Sequence, residues 1–415
     1  MSLQTAVAGL ASAQTGLNTV SNDLANASTT AFKSQTALFA DVFPSGESNV
    51  PGDGVETSSI SSDFSQGSLV STGNPLDAAI QGNGFFAVSQ NGTQQYTRDG
   101  SFQLNSTGQL VTSTGAQVLG YAQNANGTMA GALSPITINT GSVAGQASTK
   151  ITLPLNLDSN DSVIAAAAFN PTNSATYNSS TSVVAYDSLG NANNIQLYFQ
   201  QTAAGTWNVY SQTPAQATTA AADLGAGGAG ADYTALTTLN FTGAGALTAP
   251  SLAAQPAPLV GINWGNGSNA QTVNFDFTGT TLGNQSFAVA GTTNNGYAPG
   301  SYSGTTISSN GTLVSTYTNG QTVTAGTLGI ANFINQQGLT PVSGNLYAQS
   351  TTSGQPVIDT PGVGQAGTLS GGSLEQSNAS TSSLLVSLIQ YQQAYQANAS
   401  VVQTEQQDGQ RLTQI

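Results

Sequence analysis

The chain has no cysteine and no histidine among its 415 residues. Without cysteine there is no disulfide framework, no thiol nucleophile and no thiolate metal site. Without histidine the commonest metal ligand and general base is gone, and neither a Ser-His-Asp nor a Cys-His arrangement can be built. Charge is scarce as well: 5% of the residues are charged, against about 25% in ordinary soluble domains. Four Lys and Arg stand against 18 Asp and Glu, a net charge of −14. Lys33, Arg98, Lys150 and Arg411 are scattered along the chain. Phosphate backbones are gripped by clustered cations, so the pattern argues against nucleic acid and against an anionic membrane surface. No apolar run approaches the roughly 20 residues that cross a bilayer, so no membrane insertion is expected. Residues 1–24 lack the basic and continuous apolar regions of a cleaved signal peptide. The expectation is a cytosolic chain or one exported without cleavage.

What fills the chain instead is Asn, Gln, Ser and Thr with 48 Gly, around a hydrophobic fraction of 38%. That is enough for a sizeable core, and the length suits about two to four domains. Disordered chains combine low hydrophobicity with high charge, and the charge is missing here. The fold class expected is α+β, with β-rich middle domains and a helix at each end.

The ends differ from the middle. Residues 1–27 hold no Pro and two Gly, Gly9 and Gly16. Leu3, Leu10, Leu17 and Leu24 recur every seven residues and Val7 fills an intermediate position. That is the seam of an amphipathic helix or short coiled coil. Gln14 and Ser21 take the other intermediate positions and weaken it. From residue 380 onward there is one Gly, Gly409, and no Pro. Leu384, Leu388, Tyr391, Tyr395, Val402 and Leu412 lie on one heptad stripe, widened by Leu385 and Ile389 and interrupted by Asn398, Glu405 and Gly409. One such stripe reads as a surface helix covering its own domain. Two at opposite ends of a β-rich chain read better as partners, pairing as a coiled coil with a shared apolar face left for other subunits. The candidate assembly interface is Leu3, Val7, Leu10, Leu17, Leu24, Leu384, Leu388, Tyr391, Tyr395, Val402 and Leu412.

Between the ends the pattern is strand and turn. Over residues 82–121, Asn91-Gly92, Asp99-Gly100 and Thr107-Gly108 separate short apolar runs such as Phe85-Phe86-Ala87-Val88. Asn-Gly and Asp-Gly mark hairpins because both residues tolerate positive φ. A second β region opens near Ile151 and includes Val183–Tyr186, a turn at Asp187–Asn191, and Ile195–Phe199. Residues 215–258 are rich in Ala, Gly, Thr and Pro, read as long loops with little core. Strand signals return at Val273–Phe277 and continue to Leu346-Tyr347.

Sites for chemistry are hard to find. Acidic residues are few and none sits in a motif that sets it against a partner, so paired-carboxylate hydrolysis finds no support. Gly225-Ala-Gly-Gly-Ala-Gly230 lacks the strand–helix context of a dinucleotide loop, and no Walker lysine follows it. Asp158-Ser-Asn-Asp161 offers oxygens that calcium could take, but reads more simply as a polar turn. Trp207 and Trp264 fit core packing better than a sugar platform. No catalytic residue, metal ligand or cofactor is expected.

The termini also carry motifs. Val7-Ala-Gly-Leu10, Asn22-Asp-Leu-Ala-Asn26 and Thr30-Ala-Phe-Lys33 resemble the N-terminal signature of the flagellar axial proteins, the family of rod, hook and hook-associated subunits. Typical members carry Gly where this chain has Ala31. Leu374-Glu-Gln-Ser-Asn378 and Gln390–Ala399 resemble the C-terminal signature, without its usual Arg. Asn83-Gly-Phe-Phe86 with Tyr96-Thr-Arg-Asp-Gly100 resembles rod and hook members alike. Tyr186–Asn191 leading to Leu197–Phe199, and Asn295–Gly300 followed by Leu328–Phe333, resemble the hook members. The resemblance implies a structural subunit of the flagellar hook, polymerising head to tail into a curved, flexible tube that transmits motor torque. The alternatives are a distal rod or hook-associated subunit, or an unrelated β-rich surface adhesin. Implied partners are further copies of the chain, distal rod and hook–filament junction proteins, the hook cap and the flagellar export apparatus. The implied division is a terminal helical domain (1–31 with 374–415), an extended connector (32–75), an inner β domain (76–150 with 290–373) and an outer β domain (151–289).

Overall fold

The computed structural model describes residues 3–43, 52, 54–123, 129–164, 169–215, 235–250 and 257–412. By internal contacts it divides into two units. One comprises Met1–Thr140, Ser303–Thr316 and Thr322–Ile415; the other comprises Gly141–Tyr302 and Tyr317–Gln321.

In the first unit, helix α1 covers Leu3–Ala25. The proline-free, heptad-patterned sequence supports it, and it closes where the Asn26 N–H bonds the Asn22 and Asp23 carbonyls. The chain then turns through Ala31, held at φ +56°. Strands β1 (Gln35–Val42) and β2 (Gly54–Ser62) follow as an antiparallel pair with a bulge at Leu38/Phe39. The expected connector, 32–75, contains this antiparallel pair, the short hairpin its turn residues allow. A 13-stranded sheet forms the body. Its centre is the hairpin Phe85–Gln90/Thr93–Thr97, closed by Asn91 and Gly92 at φ +52° and +79°, as a tight two-residue turn between right-twisted strands requires. Asp99-Gly100 is not a hairpin loop. Gly100 runs against the Ala78 backbone with no room for a Cβ, and Asp99 accepts from the Ser101 N–H at 3.0 Å. Phe85, Tyr96, Phe333 and Tyr347 pack at this centre, with the Tyr96 and Phe333 rings edge to face at 4.8 Å. Helix α2, Thr381–Leu412, ends the described chain.

In the second unit, an antiparallel sheet runs Ser179–Tyr186, Ala192–Ala203, Thr206–Gln212, Thr237–Phe241, Leu247–Ala249. Lys150–Thr152 and Gln271–Asp276 pair in parallel within a second sheet. The inward residues of these strands, among them Leu197, Phe199, Trp207, Phe275 and Phe277, form one apolar core. The unit starts at Gly141 and runs to Tyr302, wider than the expected 151–289, because Val143 bridges Gly300 and Gln146 bridges Tyr297. The stretch expected to be loops, 215–258, contributes strands Thr237–Phe241 and Leu247–Ala249, with Leu239 fully buried. Leu236, Leu239 and Phe241 supply the apolar contacts here, and the neighbouring strand Thr206–Gln212 supplies the ladder. Residues 216–234 and 251–256, including the Gly225–Gly230 run, lie outside the described residues.

Asp187 pins a loop of this unit. It is fully buried without a cation, and accepts from the Leu189 and Asn191 N–H groups at 2.9 Å and from Asn266 Nδ2 at 2.6 Å. Burial alone would raise its pKa, yet these bonds, led by the Asn191 and Asn266 side chains, hold it at about 2.

Candidate assembly surface at the chain termini

Helices α1 and α2 lie side by side and antiparallel. A Cβ on Gly9 would meet Asn398 Nδ2 at 2.8 Å, and one on Gly16 would meet the Tyr391 ring at 2.5 Å. The two contacts advance by seven residues on α1 and retreat by seven on α2, as two helices in a heptad register do. The face of α1 that meets its surroundings is Ala6, Gly9, Ala13, Gly16, Val20 and Asp23, of which all but half-buried Gly9 are buried. That face is displaced by one residue, about 100°, from the leucine stripe read in the sequence. Small side chains let the two backbones approach, whereas leucines would hold them apart.

The leucine stripe therefore points elsewhere. Leu3 and Val7 are 46% and 50% exposed, and Leu10, Leu17 and Leu24 are half-buried. On α2 the expected stripe and the observed contact overlap. Leu384 and Tyr391 face α1 and β1, with the Tyr391 ring 6.4 Å from Phe39. Asn398, read as an interruption, sits opposite Gly9. Leu388 and Val402 are half-buried and Tyr395 is exposed, while the Leu412 side chain lies outside the described residues. Leu385, Val386 and Ile389 are each at least half exposed. No described side chain of α2 reaches full burial. Over the described residues of this 32-residue helix, the apolar side chains remain at least partly open to solvent.

Where α1, β1 and α2 meet, a cavity of about 140 Å³ is lined by Thr19, Asp23, Ser34, Leu384 and Tyr391 among others. Asp23 accepts from the Gln35 N–H at 2.9 Å through Oδ2, while its buried Oδ1 has no partner among the described residues. Burial pushes its pKa up to about 6, against the pull of the Gln35 bond.

Two of the four scattered cations converge on one carboxylate. Lys33 Nζ lies 2.7 Å from Glu375 Oε1, and Arg98 Nη1 lies 3.3 Å from Glu375 Oε2. Lys33 also donates to the Ser65 carbonyl at 2.6 Å, and Arg98 to the Gly82 carbonyl at 2.7 Å. The Gly67 N–H donates to Glu375 Oε1 at 2.8 Å. Lys33 and Glu375 side chains are fully buried and Arg98 is 3% exposed. Burial lowers the pKa of both cations, and Glu375 opposes it. The sequence reading used the scatter of these charges but missed their meeting. The signal was available: Lys33, Arg98 and Glu375 each sit in a different one of the quoted motifs.

Among the described residues no group of acidic side chains could hold a metal ion. Asp158 instead accepts from the Asn160 N–H at 2.9 Å in a polar turn. Trp207 and Trp264 are buried in the second unit's core. Among the described residues no helix is long and apolar enough to cross a membrane.

Three family models match the chain: the flagellar hook protein FlgE/F/G D1 domain over residues 79–160, the flagellar basal body protein FlaE D2 domain over 156–297, and the flagellar basal body rod FlgEFG protein C-terminal region over 370–415. The flagellar hook protein FlgE of Salmonella typhimurium is 36% identical over 416 residues, and that of Escherichia coli 34% identical over 412, each match covering 98% of both chains. The chain belongs to the flagellar hook protein family. The crystal structure of the Helicobacter pylori flagellar hook protein FlgE2 matches over 75% of this chain and 99% of its own, at 15% identity and a TM-score of 0.49. As a hook subunit the chain is a structural, motility-related component of the bacterial flagellum.

Proposed function

We propose that this hook subunit polymerises head to tail through its terminal helices, forming a curved, flexible tube that transmits motor torque to the filament. The observation that supports this beyond the family is that no described side chain of α2 is fully buried, beside the exposed Leu3 and Val7 of α1. Repeated heterologous contacts that do not close on themselves give an open helical polymer. In this reading α1 and α2 pair as a coiled coil lining the inside of the tube, and the β domains form its wall. The subunit leaves the cell without a cleaved signal, and docks with distal rod, junction and cap proteins. Near-absence of charge suits such an interface, since apolar packing and amide hydrogen bonds carry it.

Leu10→Asp and Leu388→Asp test the reading. Each buries a lone carboxylate at the proposed interface, at a cost of several kcal/mol per contact, roughly the value for an unpaired buried charge. The expected result is loss of tubes in electron micrographs with strand content unchanged by circular dichroism. Tubes of normal length from both variants would refute the assignment of this face. In isolated hook–basal bodies, an antibody to residues 151–289 should label the curved segment between rod and filament; label confined to a junction would favour a hook-associated role.

A further inference from the structure

Half of the chain's four cations are spent on one buried carboxylate. Buried ion clusters contribute little net stability compared with apolar side chains of the same shape, but they are intolerant of rearrangement. The surroundings suggest what this one is for. Glu375 ends a ladder only three residues long, Leu69–Ser71 against Ser373–Glu375. So short a ladder fixes its own register weakly. A slip of one residue would put Leu374 or Gln376 where Glu375 stands and leave two cations buried with no anion. The chain from Glu375 to α2 is held as well. The Gln376 N–H bonds the Ser68 carbonyl at 2.9 Å. The Asn378 side chain accepts from the Ser34 N–H at 2.8 Å and donates to the Asp63 carbonyl at 2.8 Å. α2 begins three residues later, at Thr381.

The position of Glu375 is thus transmitted to the rotation of α2. A one-residue slip would turn the helix by about 100° and shift it about 1.5 Å. Tyr391 would leave Gly16 and Asn398 would leave Gly9. We infer that Lys33, Arg98 and Glu375 are the residues that set the phase of α2 against α1, and so determine which helix faces are offered to other copies of the chain. They are positioning residues, acting through α2. The part that concerns other copies rests on the polymerisation proposed above; the part that concerns phase does not.

The phase can be read directly. The chain has no cysteine, so G9C/N398C introduces one pair, at one of the two close contacts between the helices. Oxidised full-length monomer should cross-link efficiently in the otherwise native background. In K33M/R98M/E375L, thermal unfolding of the strands should stay at or above the native temperature, while cross-link yield at 9/398 and polymer mass each fall by about tenfold, the effect of a 1.4 kcal/mol loss of preference. A triple variant that cross-links and polymerises like the native chain would overturn the inference. Should the triple variant not fold, K33M, which leaves Arg98 on Glu375, should fold and cross-link less, and K33R should restore the yield. K33M indistinguishable from native would overturn the inference equally. Native monomer that cross-links but never forms tubes would support the phase role and count against the polymerisation reading.

Discussion

Residues 141–302 and the terminal helix pair differ in where their partners come from. In the former, Leu197, Phe199, Trp207, Phe275 and Phe277 are removed from solvent by strands of the same unit, and even the carboxylate of Asp187 is satisfied by nearby amides. In α2 no described side chain is fully buried, and the cavity beside it leaves Asp23 Oδ1 without a partner among the described residues. One region closes its apolar core within itself. The other has its phase fixed by buried ions and its apolar surface left open. The lesson is that low charge serves both, by removing ion pairs as competitors to apolar and amide contacts. All four cations are paired within the chain, and the pair Arg411–Asp408, at 3.9 Å and exposed, contributes little.

The comparison breaks most visibly at Trp207. Trp207→Ala removes a fully buried ring and should cost about 3–5 kcal/mol. Hydrogen exchange should show residues 141–302 losing protection while the α1–α2 contact is unchanged. Gly16→Leu acts on the other side. Its side chain meets Tyr391, and forcing the helices apart should cost about 1–3 kcal/mol, abolish tubes, and leave the second unit's melting untouched. A Gly16→Leu chain that still assembles would show that the close approach is dispensable.

Smaller effects sharpen the picture. With Asp23 raised from 3.8 to about 6 in the folded chain, the folded state holds a proton that the unfolded state has lost across that window. Stability therefore falls as pH rises from about 4 to about 6, and the cost is complete above it. Denaturant midpoints on either side of the window should show this slope, and Asp23→Asn should flatten it. The smallest effect expected is at Ala31, whose φ of +56° is strained for an L residue by about 1 kcal/mol. Ala31→Gly should raise the midpoint slightly, less than that figure because glycine gains entropy in the unfolded chain.

The strands and the terminal helices could be read from period and turn chemistry, because Asn91-Gly92 and the heptads are local signals. The helix face could not. Leu3, Leu10, Leu17 and Leu24 outrank Ala6, Gly9, Ala13 and Gly16 in hydrophobicity, but contact here is decided by how closely backbones approach, to which hydrophobicity is blind. The ion cluster was equally hidden, since Lys33 and Glu375 come together only across the whole chain. Thr237–Phe241 was missed because its ladder is supplied by Thr206–Gln212 rather than by its own composition.

The most direct test of the central contrast is hydrogen exchange on monomer and on assembled tubes. The account predicts that α2 amides exchange faster in the monomer than in the tube, while strands of residues 141–302 are equally protected in both. None of the described α2 side chains is fully buried within the chain, which is why assembly should protect this helix. Equal protection of α2 in monomer and tube would contradict the claim that its packing is finished by other copies.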